Sequence, residues 1–168
     1  MTYTIREVRP EEHRALGELI ATSYLALGDD GAPDGYDDEL RDVAGRAAVC
    51  PVLVAIDDDG TVLGGATYVP GPDNPMCEHR VEDAASIRMM AVGPEARGKG
   101  VATALTRACL DRARDEGRRW LVLHSSAPMV DAQRLYEHLG FERDPEVDWR
   151  PAPNVDLRAY RYDLRRHT

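Results

Sequence analysis

Apolar positions recur along this chain with two different periods, and the change of period divides it into elements. Residues 2–8 read as a first strand. Behind Pro10, which suits a first helical turn, Leu16, Leu19, Ile20 and Tyr24 fall on one side of a helix. A second helix is expected over residues 39–47, capped by Asp37 or Asp38. Residues 52–56 and 61–69 read as strands, joined through Asp57, Asp58, Asp59 and Gly60, the last suited to a positive φ. Residues 71–83 begin with Gly71, Pro72 and Pro75 and read as a long loop. Residues 85–92 are apolar enough for a buried strand. Residues 101–113 repeat Val101, Leu105, Ala108, Cys109 and Ala113 at helical spacing. Between those two lies a turn, residues 93–100, with no bulky apolar side chain. A strand follows at 120–124. Ala132, Leu135, Tyr136 and Leu139 then mark a short helix ending at Gly140. Phe141 starts another strand, and Pro145, Pro151 and Pro153 break up a loop carrying Trp149. Last, Tyr160, Tyr162 and Leu164 alternate with Arg161, Asp163 and Arg165, as in a half-buried strand.

Composition narrows the class. A chain of 168 residues fits one domain, expected over residues 2–166. No apolar run approaches the roughly 20 residues of a membrane span, and the first residues lack signal-peptide character. Cys50, Cys77 and Cys109 are odd in number and have no metal-ligand spacing, so a reduced, cytoplasmic, metal-free protein is expected. A net charge of −9 argues against nucleic acid as a partner, because phosphate neutralisation needs a basic face. Of the 21 basic residues one alone is lysine, Lys99, and it falls in the turn before the central helix.

That turn has the chemistry of a phosphate site. The first amides of a helix lack intrahelical partners and its dipole is positive there; Arg97 and Lys99 add two full charges. Two motifs compete for it. Residues 93–99 match the ATPase phosphate loop through Lys99, but Gly100 stands where a magnesium-binding hydroxyl is required. The other motif is glutamine or arginine, two variable residues, glycine, one variable residue, then glycine or alanine. Residues 97–102 match it in full. A second stretch, Leu135-Tyr136 followed by Gly140-Phe141, comes some 35 residues later. In both stretches and their order the chain resembles the GNAT N-acetyltransferases over nearly its whole length.

The resemblance implies an α/β fold with a mixed, mostly antiparallel central sheet splayed between its fourth and fifth strands and flanked by about four helices. The pantetheine arm of acetyl-CoA lies in that gap. It implies that the backbone of Arg97, Gly98, Lys99, Gly100, Val101, Ala102 and Thr103 meets the pyrophosphate. It also implies that Met90, Ala91 and Val92 pair with the pantetheine amides, with an amide near Met90 polarising the thioester. Tyr136 matches the tyrosine that assists the thiolate as general acid. A lysine-like amine of pKa about 10.4 costs about 4.6 kcal/mol to deprotonate at pH 7, so a base is needed. The family's strand glutamate falls on Ser86 here, a departure that leaves Glu82 as the candidate base, with Asp83, Glu78 and His79 as alternatives. A family asparagine is replaced by Met129, with Ser125 or Ser126 to compensate, and His124 reads as a hydrogen-bonded structural residue. The acidic segment at 28–42 holds Asp29, Asp30, Asp34, Asp37, Asp38, Glu39 and Asp42; with the Trp149 loop it suggests a cationic amine as acceptor. A homodimer is compatible with the family. The competing expectation is an acyl-CoA sensor without useful turnover.

Overall fold

A computed structural model describes residues 2–26, 35–126, 129–153 and 155–166. The described strands form one eight-stranded sheet in the order β1 (Tyr3–Glu7), β2 (Val52–Asp57), β3 (Val62–Val69), β4 (Ala84–Val92), β5 (Trp120–Ser126), β8 (Val155–Asp163), β6 (Glu142–Arg143), with β7 (Trp149–Ala152) also paired to β8. Only β4 and β5 run parallel; every other pair is antiparallel. Among the described residues five α-helices accompany it: α1 (His13–Leu25), α2 (Tyr36–Arg41), α3 (Val43–Ala47), α4 (Val101–Asp115) and α5 (Val130–Leu139).

Strand alternation sends side chains to two cores. On one face Leu53, Ala55, Ala66, Tyr68, Ala85, Ile87, Leu121 and Leu123 meet Val101, Leu105, Cys109 and Ala113 of α4. On the other, Val52, Val54 and Ile56 meet Leu16 and Ile20 of α1, Leu40 of α2 and Val43 of α3. Two glycines set how closely the second layer packs. A Cβ on Gly65 would lie 2.6 Å from Leu16 Cδ1, and one on Gly17 would lie 2.5 Å from the Arg41 carbonyl oxygen. Only glycine lets α1 settle on β3 and α2 settle on α1.

The expected second helix is two helices. Asp42 leaves helical geometry (φ −79°, ψ 63°) and its Oδ1 accepts from Gly45 N at 3.0 Å, capping α3. Neither Asp37 nor Asp38 caps α2; Gly35 stands there with φ 83°. The buried Arg46 donates from Nη1 to the Glu39 carbonyl and from Nη2 to that of Leu40 at 2.9 Å, satisfying the last carbonyls of α2. The stretch read as a proline-broken loop contains β7, which pairs on one side only, where Pro151 is tolerated. Strand β8 starts at Val155, earlier than its alternation signals, because its first half pairs with β7 and β5. No helix among the described residues is long and apolar enough to cross a membrane.

Candidate active site

Strand β4 leads into a 3-10 turn at Pro94–Ala96, then Arg97, Gly98, Lys99 and Gly100. Gly98 and Gly100 have φ of 75° and 80°, the left-handed region that glycine enters without steric cost. Gly100 is the N-cap of α4. The first intrahelical bond runs from Ala104 N to Gly100 O at 2.9 Å, so the amides of Val101, Ala102 and Thr103 come before it. Arg97 and Lys99 are exposed, and nothing lies within 4 Å of the Cβ position on Gly98. The turn is anchored by Tyr3, whose hydroxyl donates to the Lys99 carbonyl at 3.4 Å.

The sheet opens beside this turn. Strands β4 and β5 pair from Ala84–Trp120 to Ile87–Leu123 and no further. Beyond that point β4 continues along β3 to Val92, while β5 continues along β8 to Ser126. Inside the gap β4 is bulged: Gly65 faces Ala91 and Thr67 faces Arg88, so Met89 and Met90 together oppose Ala66. Met89 sits at φ 51°, which a side chain adopts at a cost of roughly 1–2 kcal/mol. The extra residue reverses the alternation. Ala85 and Ile87 belong to the α4 core, Met89 and Ala91 to the α1 core, and Met90 and Val92 return to the α4 side. Met90 Sδ there accepts from the Thr106 hydroxyl at 3.6 Å.

A small pocket of about 30 Å³ occupies the opening, lined in part by Tyr24, Arg88, Met90, His124, Met129 and Tyr136. A wider depression of about 370 Å³ between α4, α5 and Tyr162 contains none of these residues. Tyr136 is buried, its ring tilted against Phe141 and Tyr160 at 5.7 and 6.2 Å between centroids. Burial, reinforced by Cys109, raises its phenol well above the ordinary range. It therefore stays protonated, a donor rather than an acid ready to release its proton. Ser125 lines the same gap and its hydroxyl is buried, whereas the Ser126 carbonyl accepts from Gln133 Nε2 at 2.9 Å.

On the α1 face the gap is charged. Arg88, the one charged residue of β4, has its Nε ion-paired with Glu78 Oε1, donates from Nη1 to the Met76 carbonyl at 3.2 Å and brings Nη2 to 4.0 Å from Glu39 of α2. Its side chain is 14% exposed and that of Glu78 28%. Burial raises the Glu78 carboxyl above its ordinary value against the opposing pull of Arg88 and His124, with a smaller upward push from Glu39. The neighbouring His79 is buried, and burial pushes it down to about 4; its Nδ1 accepts from Val81 N at 3.1 Å. His124 Nε2 lies 2.9 Å from the Val147 carbonyl oxygen, so the expected hydrogen bond is present while the ring also lines the pocket.

The structure thus brings Met90 and Tyr136 together in the gap, with the segment from Arg97 to Thr103 at the start of α4. It does not bring Glu82 there. That residue is exposed and precedes Ala84, at the end of β4 that is paired to β5. Asp29, Asp30, Asp34 and Pro128 lie outside the described residues. The residue that sequence reasoning passed over is Arg88, whose signal was a lone charge inside an apolar strand.

Comparison with known proteins agrees with this geometry. The profile of the Acetyltransferase (GNAT) family matches residues 14–141. An uncharacterized N-acetyltransferase of Escherichia coli, YjgM, is 34% identical over 89 residues, 52% of this chain and 48% of its own. The matches span less than half the length of the curated relatives. Among solved structures, an acetyltransferase of the GNAT family from Staphylococcus aureus superposes with a TM-score of 0.76 at 15% identity, over 97% of this chain and 99% of its own. A phosphinothricin acetyltransferase from Sinorhizobium meliloti, in complex with acetyl-CoA, gives 0.69 at 22% identity, over 98% and 89%. At those identities the likeness is one of fold.

Proposed function

From the premise that this chain belongs to the GNAT acetyltransferase family, we propose that it transfers the acetyl group of acetyl-CoA, the cosubstrate of that family, to an amine acceptor by direct attack. The observation that carries the reading is the gap itself. Pairing between β4 and β5 ends at Ile87–Leu123, directly beside a bulge, a glycine turn and a buried tyrosine. Acetyl-CoA supplies the activated acyl group as a thioester. The residues present fit such a molecule, because the turn is open above Gly98 and the amides of Val101, Ala102 and Thr103 point out of α4 at its positive end. Met90, Ala91 and Val92 supply strand backbone where β5 no longer pairs. Arg97 and Lys99 add charge at the turn.

In this reading Tyr136 donates a hydrogen bond to the sulfur as negative charge builds there. Its raised pKa makes complete proton transfer to a thiolate uphill, so the stabilisation is that of a charge-assisted hydrogen bond. The acceptor enters from the α1–α2 side, past Tyr24, Tyr36 and Glu39. Titration calorimetry with acetyl-CoA, and with ATP–magnesium in parallel, tests the cofactor half; micromolar affinity for acetyl-CoA alone is expected. CoA release with a panel of primary amines tests the transfer. Acetyl-CoA binding without CoA release with any amine would reduce the protein to a binding module.

A further inference from the structure

Among the described residues four large apolar side chains are more than a third exposed, and three of them adjoin the opening between β4 and β5. Leu25 (47%) follows the pocket-lining Tyr24 in the last turn of α1, and Val130 (49%) follows the pocket-lining Met129 at the start of α5. Trp149 (39%) opens β7, two residues after Val147, whose carbonyl oxygen lies 2.9 Å from Nε2 of the pocket-lining His124. Two residues of chain span at most about 7 Å. The strand register fixes the face as well. Trp149 pairs with Leu157 and Leu157 with Ser126, so the three stand side by side on one face of the sheet. Ser126 shares that face with His124 and not with Leu123, which belongs to the α4 core. Trp149 and the half-buried Leu157 therefore form an apolar shelf on the α1 face beside the gap. Asp148 holds it in place by accepting from Arg143 and from Ala159 N.

The gap says what covers this shelf. Its pocket measures about 30 Å³, and a water-sized group needs ~10–15 Å³, so the reacting acyl carbon and the attacking nitrogen fill it. The rest of the acceptor lies outside, on the rim. The charges there are engaged with one another: Arg88 is paired with Glu78, and Glu39, more than half exposed, is near both Arg88 and the buried Arg46. What the rim offers without a partner is apolar surface, the mark of an interaction site when it is contiguous with a functional opening. Resting on the acetyl-transfer reading, we infer that the acceptor is a primary amine whose nitrogen stands on a short unbranched arm behind an aromatic ring, and that Trp149 is the residue that selects it. The arm enters past Tyr24 and Met129. The ring lies over Trp149 and Leu157, where offset or edge-to-face contact adds to the burial of both rings, and Leu25 and Val130 flank it. Trp149 touches the body of the acceptor and not its nitrogen, so it sets the preference between acceptors.

The test compares phenethylamine, ethanolamine and cadaverine, primary amines that carry the same reacting group on different bodies, in the full chain and in Trp149→Ala, Trp149→Phe and Leu25→Ser. CoA release by the native protein should favour phenethylamine over each of the others by at least about tenfold in kcat/KM, carried by KM. Trp149→Ala should erase most of that preference and Trp149→Phe should restore part of it. Leu25→Ser, at an exposed helix position that leaves β7 untouched, should reduce it severalfold. Calorimetric titration of phenethylamine into protein saturated with CoA, where no transfer can occur, reads the same seat without turnover. Its affinity should fall at least about tenfold in Trp149→Ala, while acetyl-CoA affinity stays within about threefold. A native preference for ethanolamine or cadaverine, or a preference for phenethylamine that survives both Trp149→Ala and Leu25→Ser, would overturn the inference. Phenethylamine binding that depends on Trp149 without CoA release from any amine would keep the apolar seat and overturn the acetyl-transfer reading beneath it.

Discussion

The two walls of the gap are made of different material. The cofactor wall is main chain: the bulge at Met89–Met90, the left-handed Gly98 and Gly100, and the first amides of α4. The wall on which the proposed acceptor would enter is side chain: Arg88, Glu78, Glu39, Tyr24, Tyr36 and His124, drawn from a strand, a loop, two helices and a second strand. Backbone groups suit a ligand part that is the same in every reaction. Side chains suit a part that differs between relatives, because they change without disturbing the sheet. A perturbation of one wall should therefore leave the other's ligand untouched.

The largest separation is expected from Gly100→Glu. It forces a side chain into φ 80° and sets a negative charge in the turn. Acetyl-CoA affinity should fall at least about a hundredfold, about 2.7 kcal/mol, while circular dichroism stays native; unchanged calorimetric affinity would remove the turn from the cofactor site. On the other wall, Gly17→Ala drives a Cβ into the Arg41 carbonyl and shifts α2. We expect about 2 kcal/mol of destabilisation in urea titrations and a severalfold rise in acceptor KM with acetyl-CoA affinity intact. If both affinities fell together, the two walls would be coupled and the comparison would fail.

Tyr136→Phe tests the residue between the walls. It removes a donor without changing packing against Phe141 and Tyr160, and kcat should drop by at least about tenfold, about 1.4 kcal/mol. An unaltered kcat would leave the ring a packing role alone. The smallest effect is expected at Asp148. It accepts from Arg143 at 2.7 and 2.9 Å and from Ala159 N at 2.7 Å, fixing the segment whose Val147 carbonyl meets His124. The Arg143 hydrogen bonds hold its carboxyl below the ordinary value, so its contribution is complete above the unfolded pKa and disappears as pH falls through the folded one. Asp148→Asn should lose about 1 kcal/mol at pH 7 and become equal to the native protein in acid. A difference that persisted below both pKa values would mean that the charge is not what holds the segment.

Much of the cofactor wall is legible in the amino-acid sequence, because glycine, lysine and a helical period are local facts. The turn at 93–100, the helix from Val101 and the place of Tyr136 follow from neighbours within a few residues. The break at Asp42 is hidden because apolar spacing continues across it, and β7 is hidden because its prolines are tolerated only on a one-sided strand. The bulge escapes too. Residues 85–92 read as one continuous buried strand, and only pairing with β3 shows that Met89 and Met90 share one partner, so that side chains beyond them change faces.

The candidate base shows the same division most sharply. In sequence Glu78, Glu82 and Asp83 are equivalent acids in one polar stretch. Glu82 and Asp83 both stand just before β4 in the chain, at its end that is paired to β5, whereas the fold of the loop carries Glu78 to Arg88. What the sequence by itself determined is the set of elements whose geometry is dictated within a helical turn or a glycine, and hence the family and its cosubstrate. Only the tertiary structure decided which charges meet across the gap, because a carboxylate's environment is set by groups far away in the chain, and burial rather than residue type fixes what it can do.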